Sequence, residues 1–309
     1  MAVKPRHDIA VVLGAGGARG LAHIGVLEVL RERGYNIVAI AGSSMGALIG
    51  GVFAAGQLDT YAQWARGLDK TGVFRLLDFG LGIPGLIRGD KLIGALRGLI
   101  GDLKMEELPI RYTAVATDLD AQREVWLDRG PLFDAIRASI AIPGIFTPQR
   151  WAGRNLMDGG LLAPIPIAAT RFAMADRVVA VDVNARCPEG LVTPGDPEPD
   201  RDAEHAEPLV VPEDAASLRA RISGFFEGWG SRTPTPPPVP AAPGMLDLMA
   251  RSIDTMQAAL SRLQLALDPP DLLIRVPRDA CDFYEFWRAD ELIRLGREAA
   301  ERALDGGTH

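Results

Sequence analysis

Apolar positions in the first sixty residues fall into two alternating patterns. Asp8-Ile-Ala-Val-Val-Leu13 is a short run rich in β-branched residues and ended by glycines, which predicts a parallel strand covered on both faces. After Gly14-Ala-Gly-Gly-Ala-Arg-Gly20 the spacing changes to three. Leu21, Ile24, Leu27 and Leu30 mark a helix that runs through Arg33 and that Gly34 closes. Residues 37–41 repeat the strand pattern, 42–46 form a Gly/Ser turn, and 47–55 form a second helix of small residues. This β-α-β-α opening predicts a parallel, right-handed, doubly wound sheet.

Further strands are expected at 112–117, 177–183 and 272–276, and helices at 91–100, 131–139 and 289–303. Residues 74–89 are apolar and punctuated by glycine, and no period assigns them. Met245, Leu248, Met249, Ile253, Met256, Leu260, Leu263 and Leu267 form a helical stripe, read as core rather than as a lipid groove.

Composition changes abruptly after Asn184. Residues 187–243 hold twelve of the 23 prolines, with ten acids against four bases, and such a stretch cannot build a continuous core. The expected organisation is therefore a catalytic core over 1–186, a Pro-rich acidic surface insertion over 187–243, and a C-terminal part, 244–309, that completes the same α/β domain. Within the insertion Phe225, Phe226 and Trp229, near Arg219 and Arg221, suggest a patch for peripheral membrane contact.

The whole chain of 309 residues carries a net charge of −7, six units of which belong to the insertion, so charge gives no reason to expect nucleic acid as a partner. Residues 34–58 contain no charge, yet six glycines and several polar residues divide them, which fits the centre of a sheet better than a membrane span. Lys4, Arg6, His7 and Asp8 precede only five apolar residues, a start without a targeting segment that favours a cytoplasmic location. Cys187 and Cys281 form no Cys-x-x-Cys pair, and no ligand cluster calls for a metal; no cofactor is expected.

Gly42-Ser-Ser-Met-Gly46 matches the Gly-x-Ser-x-Gly pattern between a predicted strand and a predicted helix. That setting marks Ser44 as a candidate nucleophile on a sharp turn, with Gly42 and Gly46 as the flanking positions where side chains would collide. The first loop lacks the Gly-x-Gly-x-x-Gly spacing of dinucleotide sites, because Arg19 stands where the last glycine is needed, and no acid ends the second strand. Its bare amides suit an oxyanion hole instead, with Gly16, Gly17 and Ala18 as donors and Gly14, Arg19 and Gly20 as loop support.

A nucleophilic serine needs a base, and of His7, His23, His205 and His309 only His23 lies near the motifs, in the first turn of a helix where orienting the loop is its expected role. Asp158, in Asp158-Gly-Gly160, sits in an unhindered turn. A Ser44–Asp158 dyad would perform the proton transfers of a triad.

Together these segments resemble the bacterial patatin-like phospholipases. The resemblance covers most of 8–183 and rests on the glycine loop, Leu21-Ala-His-Ile-Gly25, Gly42-Ser-Ser-Met-Gly46, Ser139-Ile-Ala-Ile-Pro-Gly-Ile-Phe-Thr-Pro148 and Asp158-Gly-Gly160. It implies a three-layer α/β fold with a mostly parallel sheet flanked by helices. It also implies hydrolysis of lipid acyl esters by a Ser44–Asp158 dyad through an acyl-enzyme. One departure stands out: such sequences often carry Asn five residues after the catalytic Asp, where this chain has Ala163. The rival expectation is an acyl-lipid-binding or regulatory protein on the same fold with little turnover.

Overall fold

The computed structural model describes residues 7–78, 87–185 and 245–306. The strands are β1 (Asp8–Leu13), β2 (Asn36–Ser43), β3 (Arg111–Asp118), β4 (Arg123–Leu127), β5 (Gln149–Trp151), β6 (Arg154–Asp158), β7 (Arg177–Ala185) and β8 (Leu272–Pro277). They hydrogen-bond in the order β5-β6-β3-β2-β1-β7-β8, with β4 also paired to β3. Strands β3, β2, β1, β7 and β8 run parallel, while β4 and β6 join β3 antiparallel and β5 pairs β6 antiparallel. The sheet is thus mostly parallel, as expected, with an antiparallel end that the period-2 signal was too short to reveal.

The helices are α1 (Ala22–Glu32), α2 (Met45–Ala54), α3 (Leu58–Arg66), α4 (Lys70–Arg75), α5 (Asp90–Ile100), α6 (Leu132–Ser139), α7 (Met245–Leu267) and α8 (Ala289–Gly306). Strand alternation divides the core between two sides of the sheet. Ile9, Val11 and Leu13 of β1 join Ile24 and Leu27 of α1 and Leu292 and Ile293 of α8 in a large apolar core. Val12, on the opposite side, meets only Ile165, Ile167 and Ala180, with Leu265 of α7 and Leu273 packed against them. Burial on both sides explains the unbroken apolar run of β1.

One expectation is overturned on that second side. The Met/Leu stripe of α7 is not core: Leu248, Met249, Met256, Leu263 and Leu267 are exposed, whereas Gln257 and Ser261 are buried. The helix lies inside out, and its inward polar side is bonded only in part: Gln264 bridges the Leu162 carbonyl and the Ile165 N–H and Asp254 pairs with Arg19, whereas Gln257 Oε1 and Ser261 Oγ are buried without a partner among the described residues. The patch at Phe225, Phe226 and Trp229, with the rest of 187–243, lies outside the described residues. No described helix is long and apolar enough to cross a membrane.

Candidate active site

Strand register brings the two ends of the site together. Over 116–118, β3 is flanked by β4 and β6; over 114–115, it is flanked by β4 and β2. A strand has two edges, so β2 and β6 meet end to end along the one that β4 leaves open. Ser43 is paired with Val115 and Asp158 with Ala116. The residue after Ser43 therefore emerges beside Asp158, although 114 positions separate Ser44 and Asp158 in the chain. A tight β5-β6 hairpin turn, with Ala152 and Gly153 both at positive φ, delivers Asp158 to this point.

Ser44 caps α2 with φ 54° and ψ −123°, a conformation few non-glycine residues adopt. The turn is crowded enough to explain its glycines: a Cβ on Gly42 would collide with the Gly46 carbonyl, and one on Gly46 would collide with the Leu13 carbonyl oxygen. Hydrogen bonds hold the strained residue. The Ser44 N–H donates to Ser139 Oγ at 3.0 Å, and Ser139 Oγ donates to the Val115 carbonyl at 2.5 Å. Ser43 Oγ donates to the Ala163 carbonyl at 2.6 Å, which ties the elbow to the loop after Asp158. Ser139 opens the Ser139–Pro148 segment, yet no pattern in the sequence assigns it this role.

Asp158 is buried and held at every atom but one. Its N–H donates to the Ala141 carbonyl at 2.9 Å, its carbonyl accepts from Thr117 Oγ1 at 2.9 Å, and its Oδ1 accepts from the Gly160 N–H at 2.7 Å. Oδ2 is buried without a hydrogen bond of ordinary geometry. Burial pushes the carboxyl up to about 7, against the opposing pull of the Ser44 hydroxyl and the Gly160 N–H, which favour the charged form.

The glycine loop passes beside the same point. Its Gly14 N–H donates to Val181, the Ala15 N–H to Pro164 and the Ala18 N–H to Phe283, each at a carbonyl oxygen 2.8–3.1 Å away. Ala18 is thus corrected as an oxyanion donor, since its N–H is already engaged. Among the described residues no hydrogen bond engages the Gly16 or Gly17 N–H. Gly17 has φ 55°, and a Cβ there would strike the Phe283 ring. Gly14 sits close against the Val181 carbonyl and Gly20 against the Met45 side chain.

Arg19 is buried and donates to Asn184 Oδ1 at 2.8 Å, Asp254 Oδ1 at 3.0 Å and the Arg278 carbonyl at 3.3 Å. Asn184 in turn donates from Nδ2 to the Ala15 carbonyl at 2.6 Å, so Arg19 shapes the loop by tying it to β7 and α7. His23 is also structural: with Gly14 O as its partner, its Nε2–H donates at 2.8 Å, and burial lowers the imidazole to about 4, keeping it neutral.

Around Ala163, whose side chain can make no hydrogen bond, α7 supplies bonds to the loop. Gln264 donates to the Leu162 carbonyl at 3.1 Å and accepts from the Ile165 N–H at 3.2 Å. Sequence reading missed Gln264 because it interrupts an apolar stripe and resembles a solvated position.

Ser44 borders a cavity of about 220 Å³ walled by α2, α3, α4 and residues 283–287. Its lining is apolar and aromatic apart from a few groups, and Lys70 is the one charged residue among the described ones, its Nζ lying 4.9 Å from the centre of the Trp287 ring. Such a room suits an alkyl chain, with polar chemistry confined to the Ser44 end. Among the described residues no group of His, Cys, Asp and Glu is placed to hold a metal ion.

The pattern of the patatin-like phospholipase family matches residues 11–171. An uncharacterized NTE family protein of Mycobacterium tuberculosis is 44% identical over 340 aligned residues, covering 96% of this chain and 91% of its own. The lysophospholipase NTE1 of Debaryomyces hansenii is 26% identical over 98% of this chain, which corresponds to 18% of that protein. Patatin-like phospholipase domain-containing protein 7 of Mus musculus is 33% identical over 61% of this chain and 14% of its own length. Among solved structures, VipD from Legionella pneumophila aligns over 98% of this chain and 67% of its own, with a TM-score of 0.46 and 14% identity. With the family pattern running over more than half of the residues and a relative matched along nearly its full length, the chain belongs to the patatin-like phospholipase family.

Proposed function

We propose that this protein is a serine acyl hydrolase that cleaves carboxylic esters of lipids, of the phospholipase A or lysophospholipase type. The observation that carries the reading is a strained serine facing a buried carboxylate oxygen without another partner, at the polar end of an apolar cavity. Ser44 Oγ attacks the acyl carbonyl carbon while Asp158 takes its proton. The oxyanion forms at the Gly16 and Gly17 N–H groups, in a site where fixed dipoles act strongly. Collapse expels the alcohol, which receives the proton back from Asp158 and leaves an acyl-enzyme on Ser44. Water then adds to the acyl carbon, its proton passes to Asp158, and the acid departs as that proton returns to Ser44. A carboxyl titrating near neutrality is matched to this alternation of base and acid.

The test is incubation of wild type and Ser44→Ala with a fluorophosphonate probe and p-nitrophenyl esters of increasing acyl length. Wild type is expected to be labelled and to prefer the longer esters. The substitution should abolish labelling and lower kcat by about 10³-fold or more. Undiminished cleavage by the folded Ser44→Ala protein would falsify the assignment of the nucleophile.

A further inference from the structure

The outward face of α7 is unusual for a surface helix. Met256, Leu263 and Leu267 expose 53, 54 and 76% of their surface, while Gln257 and Ser261 on the inward face expose 5 and 1%. Scattered exposed leucines are ordinary, but here they share one side of a helix about 34 Å long, from Leu248 and Met249 at its start to Leu267 at its end. Between 248 and 267 the only acid is Asp254, which bonds Arg19. Arg262 of α7 is exposed and shares a groove with the exposed Arg275 of β8 and with Asp182. An apolar face flanked by arginines is the pattern of a helix lying in a lipid interface.

Position adds the decisive argument. Met249 and Ile253 meet Ile142, Ile145 and Phe283 in a shallow depression, and the last three also line the cavity beside Ser44. The apolar face is therefore continuous with the rim of the cavity.

We propose that α7 lays the protein on a lipid surface containing anionic headgroups, with the cavity rim at one end of the contact so that an acyl chain passes from the lipid layer towards Ser44. The choice of lipid as occupant rests on the acyl-ester reading above. On this view the inverted amphipathicity of α7 serves two functions: its polar side fixes the loops of the site, and its apolar side docks.

The test is co-sedimentation of the full chain with vesicles of phosphatidylcholine and phosphatidylglycerol, alongside cleavage of a water-soluble short-chain p-nitrophenyl ester. Wild type is expected to pellet with the vesicles. Met256→Glu/Leu263→Glu should weaken partitioning by about tenfold or more, because two apolar contacts are replaced by charges that anionic lipid repels, while soluble-ester cleavage stays within about twofold. Met256→Ser/Leu263→Ser, which adds no charge, should move partitioning in the same direction by less. Wild type that stays in the supernatant, or variants that pellet as well as wild type, would overturn the proposal. So would a wild-type dimer that the variants convert to monomer without vesicle binding, since the face would then join two copies of this chain. Wild type that pellets through this face yet cleaves no ester would leave docking intact and strike the hydrolase reading alone.

Discussion

On one side of β1, Ile9, Val11 and Leu13 enter a core shared with α1 and α8; on the other, Val12 meets a small cluster beneath α7. The first side is packed apolar to apolar, and its helices turn their leucines inward. The second is held in part by polar groups: Asp254 of α7 pairs with Arg19 and Gln264 bridges Leu162 and Ile165, while Gln257 and Ser261 are buried there with Oε1 and Oγ unbonded. Hydrophobic burial is non-directional and tolerant of detail, whereas hydrogen bonds fix position. The large core therefore supplies stability, and the α7 side supplies the geometry that a strained serine and a buried carboxyl require.

The sharpest way to break this division is to cut into each side equally. Leu27→Ala, in the large core, should cost about 2–5 kcal/mol at any pH, since it leaves a cavity in a fully packed region. Leu265→Ala, on α7 and half-buried against the Val12 cluster, should cost about 1 kcal/mol or less. Urea unfolding of the two variants measures the contrast. Equal losses would mean that the α7 side carries as much of the fold as the other.

Asp158 gives the α7 side a pH dependence that the apolar core lacks. In the folded chain its carboxyl keeps a proton up to about pH 7, whereas in the unfolded chain it releases it near pH 4. Between those values stability falls as pH rises, because only the folded state must bury the charge. Asp158→Asn removes that penalty. It should raise thermal stability at pH 8, by up to about 4 kcal/mol, and leave it nearly unchanged at pH 4. The same titration should give wild-type hydrolysis an acid limb with its midpoint near pH 7, since only the ionised form can accept the Ser44 proton. An activity profile flat from pH 5 to 9, or a variant whose gain over wild type is no larger at pH 8 than at pH 4, would place the base elsewhere.

The contrast between the sides also explains what the chain disclosed as sequence. β1, β2, α1 and the Gly-x-Ser-x-Gly turn were legible because apolar period and glycine punctuation record packing against apolar neighbours. The strand pattern ends at 41 and the helix pattern begins at 47, yet the observed bounds close on Ser44 itself, since the strand and the helix each extend two residues into the Gly/Ser turn. The short β5-β6 hairpin escaped because three-to-five-residue strands carry too few alternations. Asp158 was visible as Asp-Gly-Gly, but its partnership with Ser44 depends on register along β3, which no local pattern records. α7 was misread for a deeper reason. Its stripe was correctly placed, but the side it faces is decided by what lies beneath, and backbone loops reward glutamine over leucine.

Gln264 offers the finest test of that last point. Its side chain bridges the Leu162 carbonyl and the Ile165 N–H, and Ala163 between them accepts the Ser43 hydroxyl at the base of the elbow. Gln264→Leu extends the apolar face of α7 by one residue of similar size, a change favoured by helix propensity alone. It should nevertheless destabilise the protein by about 1–3 kcal/mol, because two half-buried backbone groups lose their partner. It should also lower kcat several-fold with little change in KM for a short ester, since the apolar cavity is untouched while the loop behind Ser43 loosens. Urea unfolding and steady-state kinetics on one preparation separate the two effects. A stability loss with unchanged kcat would confine the polar side of α7 to holding the fold together, and the elbow would then owe its geometry to Ser139 and β3 alone.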